Sequence, residues 1–268
     1  MNKKELNTDW RKTAAAIYNK PNDSKILGSV EVDITELEAF VSEQRTIGLK
    51  ITLTHVFMLA AARAIKYDVP QLNTYIVRGN VKGNKSVNVS LSILQSDGSM
   101  SSIMIENADK LSLGDAVKTI NDAVKSGRQG DENKTTQNKQ VIAKIPYPFR
   151  KWILMIFKSL SVKWGINLPF TGFSPNNFGS FILSNIGTLG LDIGYPALMP
   201  IANVSFVMIM GKVQKKPLVI GNEIVPRTVI TLGAAIDHRI ADASHAGLLF
   251  KSLKHYVKNP RLLLESRL

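Results

Sequence analysis

The stretch VSFVMIMGKVQKKPLVIGNEIVPRTVITLGAAIDHR, from Val204 to Arg239, decides the fold. Its opening, VSFVMIMG, is apolar on both faces, as in a strand buried between two layers. PLVIGNEIVP turns back on itself around Gly221-Asn222, the dipeptide of a tight hairpin. TVITLGAAI is a further buried strand, and it delivers Asp237-His238-Arg239 to the threshold of a helix. That helix carries Ala246, Leu249, Phe250, Leu253, Tyr256 and Val257 at helical spacing, and Pro260 stops it.

Working back towards the N-terminus, GSFILSNIG (Gly179 to Gly187) and VNVSLSILQ (Val87 to Gln95) read as strands, with a turn at Asp97-Gly98. Ile26 to Ile34 alternates as a half-buried strand and runs into Thr35-Glu36-Leu37-Glu38, the pattern of a capping box. A second helix is expected from Thr52 to Lys66, and a third after the cap Ser112-Leu113-Gly114-Asp115. Strands and helices mix without strict alternation. The expected architecture is α+β, a two-layer mixed sheet with helices on one face. One domain over 1–268 is expected, with a poorly patterned stretch at about 127–178.

Composition narrows the chemistry. Of 268 residues 44% are hydrophobic, yet no apolar run approaches the roughly 20 residues a spanning helix needs. The N-terminus lacks the apolar core of a secretory signal, so a cytoplasmic location is expected. Cysteine is absent, which excludes a cysteine nucleophile and thiolate metal sites. Any thiol must therefore come from a substrate. The net charge of +13 favours anionic partners. Eight basic residues lie between Ser126 and Phe170 against Asp131 and Glu132, but no nucleic-acid module accompanies them and no nucleic-acid partner is expected.

The segment from Asp237 to Ala243 is the candidate for chemistry. Histidine is the side chain that exchanges protons near neutrality, and a strand end holds it rigidly. A bland account also exists: His238 as a core histidine, Asp237 and Arg239 as surface ions, Asp242 as a helix N-cap. His55, His245 and His255 read as structural or surface residues. No ligand pair has a metal spacing, so no metal is expected.

That segment resembles the Asp-His-Arg signature of the acyltransferase catalytic domain of 2-oxoacid dehydrogenase complexes, which shares its fold with chloramphenicol acetyltransferase. WRKTAAAI (Trp10 to Ile17), VEVDITELEAF, VPQLNTYI, GSFILSNIGTLGLD and the hairpin stretch resemble other family segments in the same order. The resemblance implies a coenzyme-A-dependent acyltransferase, with coenzyme A or acyl-coenzyme A as substrate, no metal and no covalently bound lipoyl group. It implies His238 as general base towards a thiol and Ser184 as a hydrogen-bond donor to the oxyanion. Asp242 would orient the base, tied to Arg11. The turn Asn185 to Gly190, with Gly187, Thr188 and Gly190, would lie against the cofactor. A homotrimer is implied, with His238 and Ser184 contributed by neighbouring subunits and larger assembly left open; the acceptor is a small molecule or a carrier-bound thiol, hydroxyl or amine. The alternatives are an antibiotic-type O-acetyltransferase and a non-catalytic relative that binds an acyl carrier or scaffolds a complex.

The chain departs from the family pattern in places. Ala243 stands where the family has glycine, which would be strained if the position required positive φ. Ser102 replaces a proline and a Pro-His pair is missing near Pro21; no lipoyl domain is expected ahead of the catalytic region, and about 127–178 is expected to be an insertion enlarged relative to the family. The segment IPYPFRKWILMIFKSLSVKWGINLPF, about 145–170, is basic and amphipathic. It admits three readings: a lid over an acyl chain, peripheral contact with acidic lipid, or an added helix covering a sheet face, the last being favoured.

Overall fold

The computed structural model describes residues 24–95, 98, 100–128, 146, 149–168 and 174–267. The described residues begin with β1 (Lys25–Asp33), α1 (Thr35–Thr46) and α2 (Leu53–Arg63), then a short hairpin of β2 (Thr74–Val77) and β3 (Asn80–Gly83). Next come β4 (Val89–Leu94), β5 (Met100–Ile105), α3 (Leu113–Arg128) and α4 (Phe149–Lys158). β6 (Phe181–Asn185), β7 (Phe206–Ile220), β8 (Glu223–Asp237) and α5 (Ala243–Lys258) complete it.

Six strands form one mixed sheet in the order β1-β8-β7-β6-β4-β5. β6 lies parallel to both neighbours, and the remaining pairs are antiparallel. Period-two alternation sorts the faces. Phe206, Met208 and Met210 of β7 and Ile230, Leu232, Ala234 and Ile236 of β8 enter the main core with Leu37 of α1, Phe57 of α2, Ala116 of α3 and Leu253 of α5. Ile182 and Val207 face the other way, into a small cluster with Phe178, Ala202 and Val204. Helices α1, α2, α3 and α5 therefore lie on one face, giving the two-layer α+β architecture that the pattern implied.

Several details differ from the sequence reading. The stretch read as two strands and a separate hairpin is one pair of 15-residue strands, β7 and β8, with an irregularity between Met210 and Val213. Ile220 pairs with Glu223 across Gly221, whose φ is +62°, so the turn is two residues long as expected. The capping box at Thr35 is replaced by Asp33, whose Oδ1 accepts the Thr35 backbone N–H at 3.0 Å and its hydroxyl at 2.7 Å. α2 does not run regularly to Lys66; it widens into a π-turn over Ala64–Asp68. Ala243 is the first residue of α5 and does not have positive φ, so the alanine there is unstrained.

The basic amphipathic segment docks on the β2–β3 hairpin. The Arg78 N–H donates to the Lys163 carbonyl at 2.9 Å, and a Cβ on Gly165 would meet Val77 Cγ1 at 2.4 Å. Its expected apolar face divides: Ile153, Phe157 and Leu160 are half-buried, whereas Trp152, Ile156 and Trp164 stay exposed. One side of the segment therefore lies against the two-stranded β2–β3 sheet while Trp152, Ile156 and Trp164 are left outside that contact.

Candidate active site

Two clusters carry the residues the sequence singled out, and the first is built on the end of β8. The Asp237 N–H donates to the Ser205 carbonyl at 2.8 Å, and the His238 N–H to the Ser24 carbonyl at 2.7 Å, which pins the backbone on both sides. Asp237 is not a surface ion. Its carboxylate is buried, accepts the Arg239 N–H at 3.0 Å and grips the Arg239 guanidinium from Nε and Nη2. A bidentate charge-assisted pair of this kind fixes a sharp turn, and its hydrogen bonds hold the Arg239 pKa above the usual arginine value.

His238 stands out from that turn, its side chain 55% exposed. Its Nδ1 lies 3.1 Å from the Ala241 carbonyl and 3.3 Å from Asp242 Oδ1. Both neighbours are acceptors only, so in the neutral ring the proton resides on Nδ1. Nε2 is left with the lone pair, which is the form a general base needs. Asp242 serves twice: it is the N-cap of α5, where its own N–H donates to His245 Nδ1 at 3.0 Å, and it faces the base. Arg11, expected to tie Asp242, lies outside the described residues, as does the opening helix.

The second cluster surrounds Ser184 on β6. A cavity of about 430 Å³ is lined there by Ser184, Asn185 and Thr188, with Thr54, His55 and Asn121 from the helical layer. Asn185 donates from Nδ2 to Thr54 Oγ1 at 3.2 Å and accepts the Gly187 N–H at 3.1 Å, and Thr188 closes the turn onto the Asn185 carbonyl at 3.0 Å. The glycines have local reasons. A Cβ on Gly187 would meet the Gly211 carbonyl oxygen at 2.5 Å, and Gly190 has φ +82°.

His55 was read as structural or surface; it is buried and lines the cavity with Ser184. Its Nδ1 accepts the Thr52 N–H at 3.0 Å. Burial lowers its pKa to about 4, against the opposing hydrogen bond from the Thr52 backbone. The ring is thus neutral near pH 7, with its remaining proton on Nε2. No spacing signal identifies His55, Thr54 and Asn121 together, because they meet only when α2 and α3 pack beside β6.

The two clusters do not meet within one chain. Ser184 is level with Ile209 and Gly233 in the sheet register, and Gly233 precedes His238 by five residues. At about 3.3 Å per residue and about 4.8 Å per strand, more than roughly 15 Å separates them.

A sheet with one central parallel strand, a helical layer and a histidine projecting from a strand-to-helix turn defines an acyltransferase-core class of fold. The structure superposes on the cubic core of a pyruvate dehydrogenase multienzyme complex with a TM-score of 0.66, 19% identity, and coverage of 91% of this chain and 85% of that one. It also matches a truncated catalytic core of the 2-oxoacid dehydrogenase multienzyme complex from Thermoplasma acidophilum, with a TM-score of 0.60, 17% identity, and coverage of 94% and 92%. The family model for 2-oxoacid dehydrogenases acyltransferase (catalytic domain) matches residues 6–140 and 175–265. The chain belongs to that family.

Among curated relatives, a dihydrolipoyllysine-residue succinyltransferase component of the 2-oxoglutarate dehydrogenase complex from Arabidopsis thaliana is 25% identical over 95% of this chain and 47% of its own length. A dihydrolipoyllysine-residue acetyltransferase component of the acetoin cleaving system from Bacillus subtilis is 22% identical over 96% of this chain and 56% of its own. The chain thus spans about half the length of these relatives. Residues 141–174 fall outside the family match.

Proposed function

We propose that this acyltransferase domain moves an acyl group between coenzyme A and a thiol, hydroxyl or amine acceptor, with His238 as general base. The observation that carries this reading is the environment of His238 Nδ1, where the Ala241 carbonyl and Asp242 leave Nε2 as the basic nitrogen. Nε2 accepts the proton of the attacking group, so that its lone pair reaches the acyl carbonyl without a free thiolate or alkoxide having to form first. The imidazolium that results is favoured by Asp242, and it returns its proton to the departing group when the tetrahedral adduct collapses. Ser184 supplies the hydroxyl that binds the oxyanion, a donor of a kind typically worth a few kcal/mol of barrier.

Separation of the two clusters within one chain supports a site shared between subunits, and hence a homotrimer. The alanine at position 243 is unstrained at the start of α5, so it gives no support to a decayed, non-catalytic relative. His238→Ala is expected to lower acyl-transfer turnover by at least about a hundredfold, near 2.7 kcal/mol of barrier, with the fold intact by circular dichroism. Turnover within threefold of the parent protein would remove His238 from the chemistry.

A further inference from the structure

Beside the His238 turn, the segment outside the family match and residues within the match together build a second cavity. It measures about 600 Å³ and lies between the 149–168 segment and the β2–β3 turn, with Arg239 on its wall. Arg78, Lys158, Lys163 and Arg239 line it, and among the described residues no carboxylate does. Asp237 engages Arg239, but Lys158 and Lys163 have no ion-pair partner among the described residues. From Asn133 to Leu191 the sequence holds no acidic residue at all. Concentrating cations without counter-ions raises the free energy of the empty protein, a cost that a bound anion removes.

The backbone supports a built site. Among the described residues three non-glycines have positive φ, and two of them, Arg78 at 54° and Asn203 at 52°, line this cavity. Such conformations persist where surrounding structure enforces them, and they gather at ligand sites. Arg78 is enforced by Nε donating to the Trp164 carbonyl at 2.9 Å, and Asn203 by Nδ2 donating to the carbonyls of Ile76 at 2.9 Å and Pro175 at 2.7 Å. The π-turn Ser159–Lys163 brings Lys158 and Lys163 to one side of the segment, with Met155 and Val162 beside them. π-turns inside helices are themselves frequent at functional sites.

We infer that this cleft binds a phosphate ester with an apolar portion. A single carboxylate would be served by one arginine, whereas a phosphate offers three acceptor oxygens and up to two charges to several cations at once. Ile76, Met155 and Val162 supply the apolar wall. Two sources share that chemistry: a soluble ester such as coenzyme A, and a phospholipid headgroup at a membrane surface.

The test is calorimetric titration of the full chain with inorganic pyrophosphate, without turnover. One saturable site is expected. It should weaken at least tenfold in Lys158→Ala/Lys163→Ala, survive in Lys158→Arg/Lys163→Arg, and be unchanged in Lys251→Ala/Lys254→Ala on α5, with thermal melting of each variant recorded. Absence of a saturable site, or equal loss in the α5 pair, overturns the inference. Displacement of pyrophosphate by coenzyme A, by vesicles containing phosphatidic acid, or by both identifies the source, and displacement by neither overturns the assignment to a phosphate ester. Because binding is read apart from catalysis, its failure leaves the acyl-transfer proposal standing. An inactive protein that still binds pyrophosphate would do the reverse.

Discussion

At the scale of the residue, the two histidines near the proposed chemistry are set in opposite ways. His238 projects into solvent with acceptors on one nitrogen, whereas His55 is enclosed and holds its ring neutral. The pKa of about 4 for His55 gives stability a definite pH dependence. Its folded value lies below the usual 6.5, so the unfolded chain binds more protons between those limits and stability falls as pH drops from about 6.5 towards 4. The loss from this one group is about 3 kcal/mol at its fullest. His55→Gln should flatten that part of the profile in urea unfolding at pH 7, 6, 5 and 4. An unchanged slope would show that another group carries the acid sensitivity.

At the scale of the element, the strands were legible wherever one periodicity ruled. The tight turn at Gly221-Asn222 and the apolar run of β7 announced themselves, as did the stripe of α5 from Leu249 to Val257. What escaped reading depends on partners distant in sequence. Asp33 takes over the cap at Thr35, and the irregularity at Met210 to Val213 appears only when β7 meets β8. His238 and Asp242 were legible as a motif, but the cavity wall of His55, Thr54 and Asn121 belongs to packing between layers. The far face of the sheet holds another such feature. A Cβ on Gly211 would meet the Asp192 carbonyl oxygen at 1.9 Å, and one on Gly233 the Gly194 carbonyl oxygen at 2.2 Å. The loop after β6 thus lies directly on the backbones of β7 and β8. Backbone cannot yield as a side chain can, so Gly211→Ala is expected to cost at least about 2 kcal/mol, at the upper part of the overpacking range. Chemical denaturation measures this, and a loss under 0.5 kcal/mol would mean the loop lifts freely.

At the scale of the whole molecule, the distance between Ser184 and His238 makes a demand on assembly. If each site takes one residue from each of two neighbours, two dead proteins should restore one another. His238→Ala mixed with Ser184→Ala, after subunit exchange verified by native mass spectrometry, is expected to recover part of the activity. Verified exchange with no recovery would place both residues in separate roles or remove one of them.

The pairing of β1 with β8 sets a timetable for synthesis. Lys25 pairs with Asp237, so β1 waits for a partner made roughly 200 residues later. At about 5–20 residues per second on the ribosome, the interval is on the order of 10–40 seconds. Throughout that time β1 has no sheet to join, while β7 and β8 can close locally within microseconds of leaving the exit tunnel. For most of the synthesis of this domain β1 therefore stays an unpaired strand, which makes the nascent domain a natural client for whatever shields emerging strands.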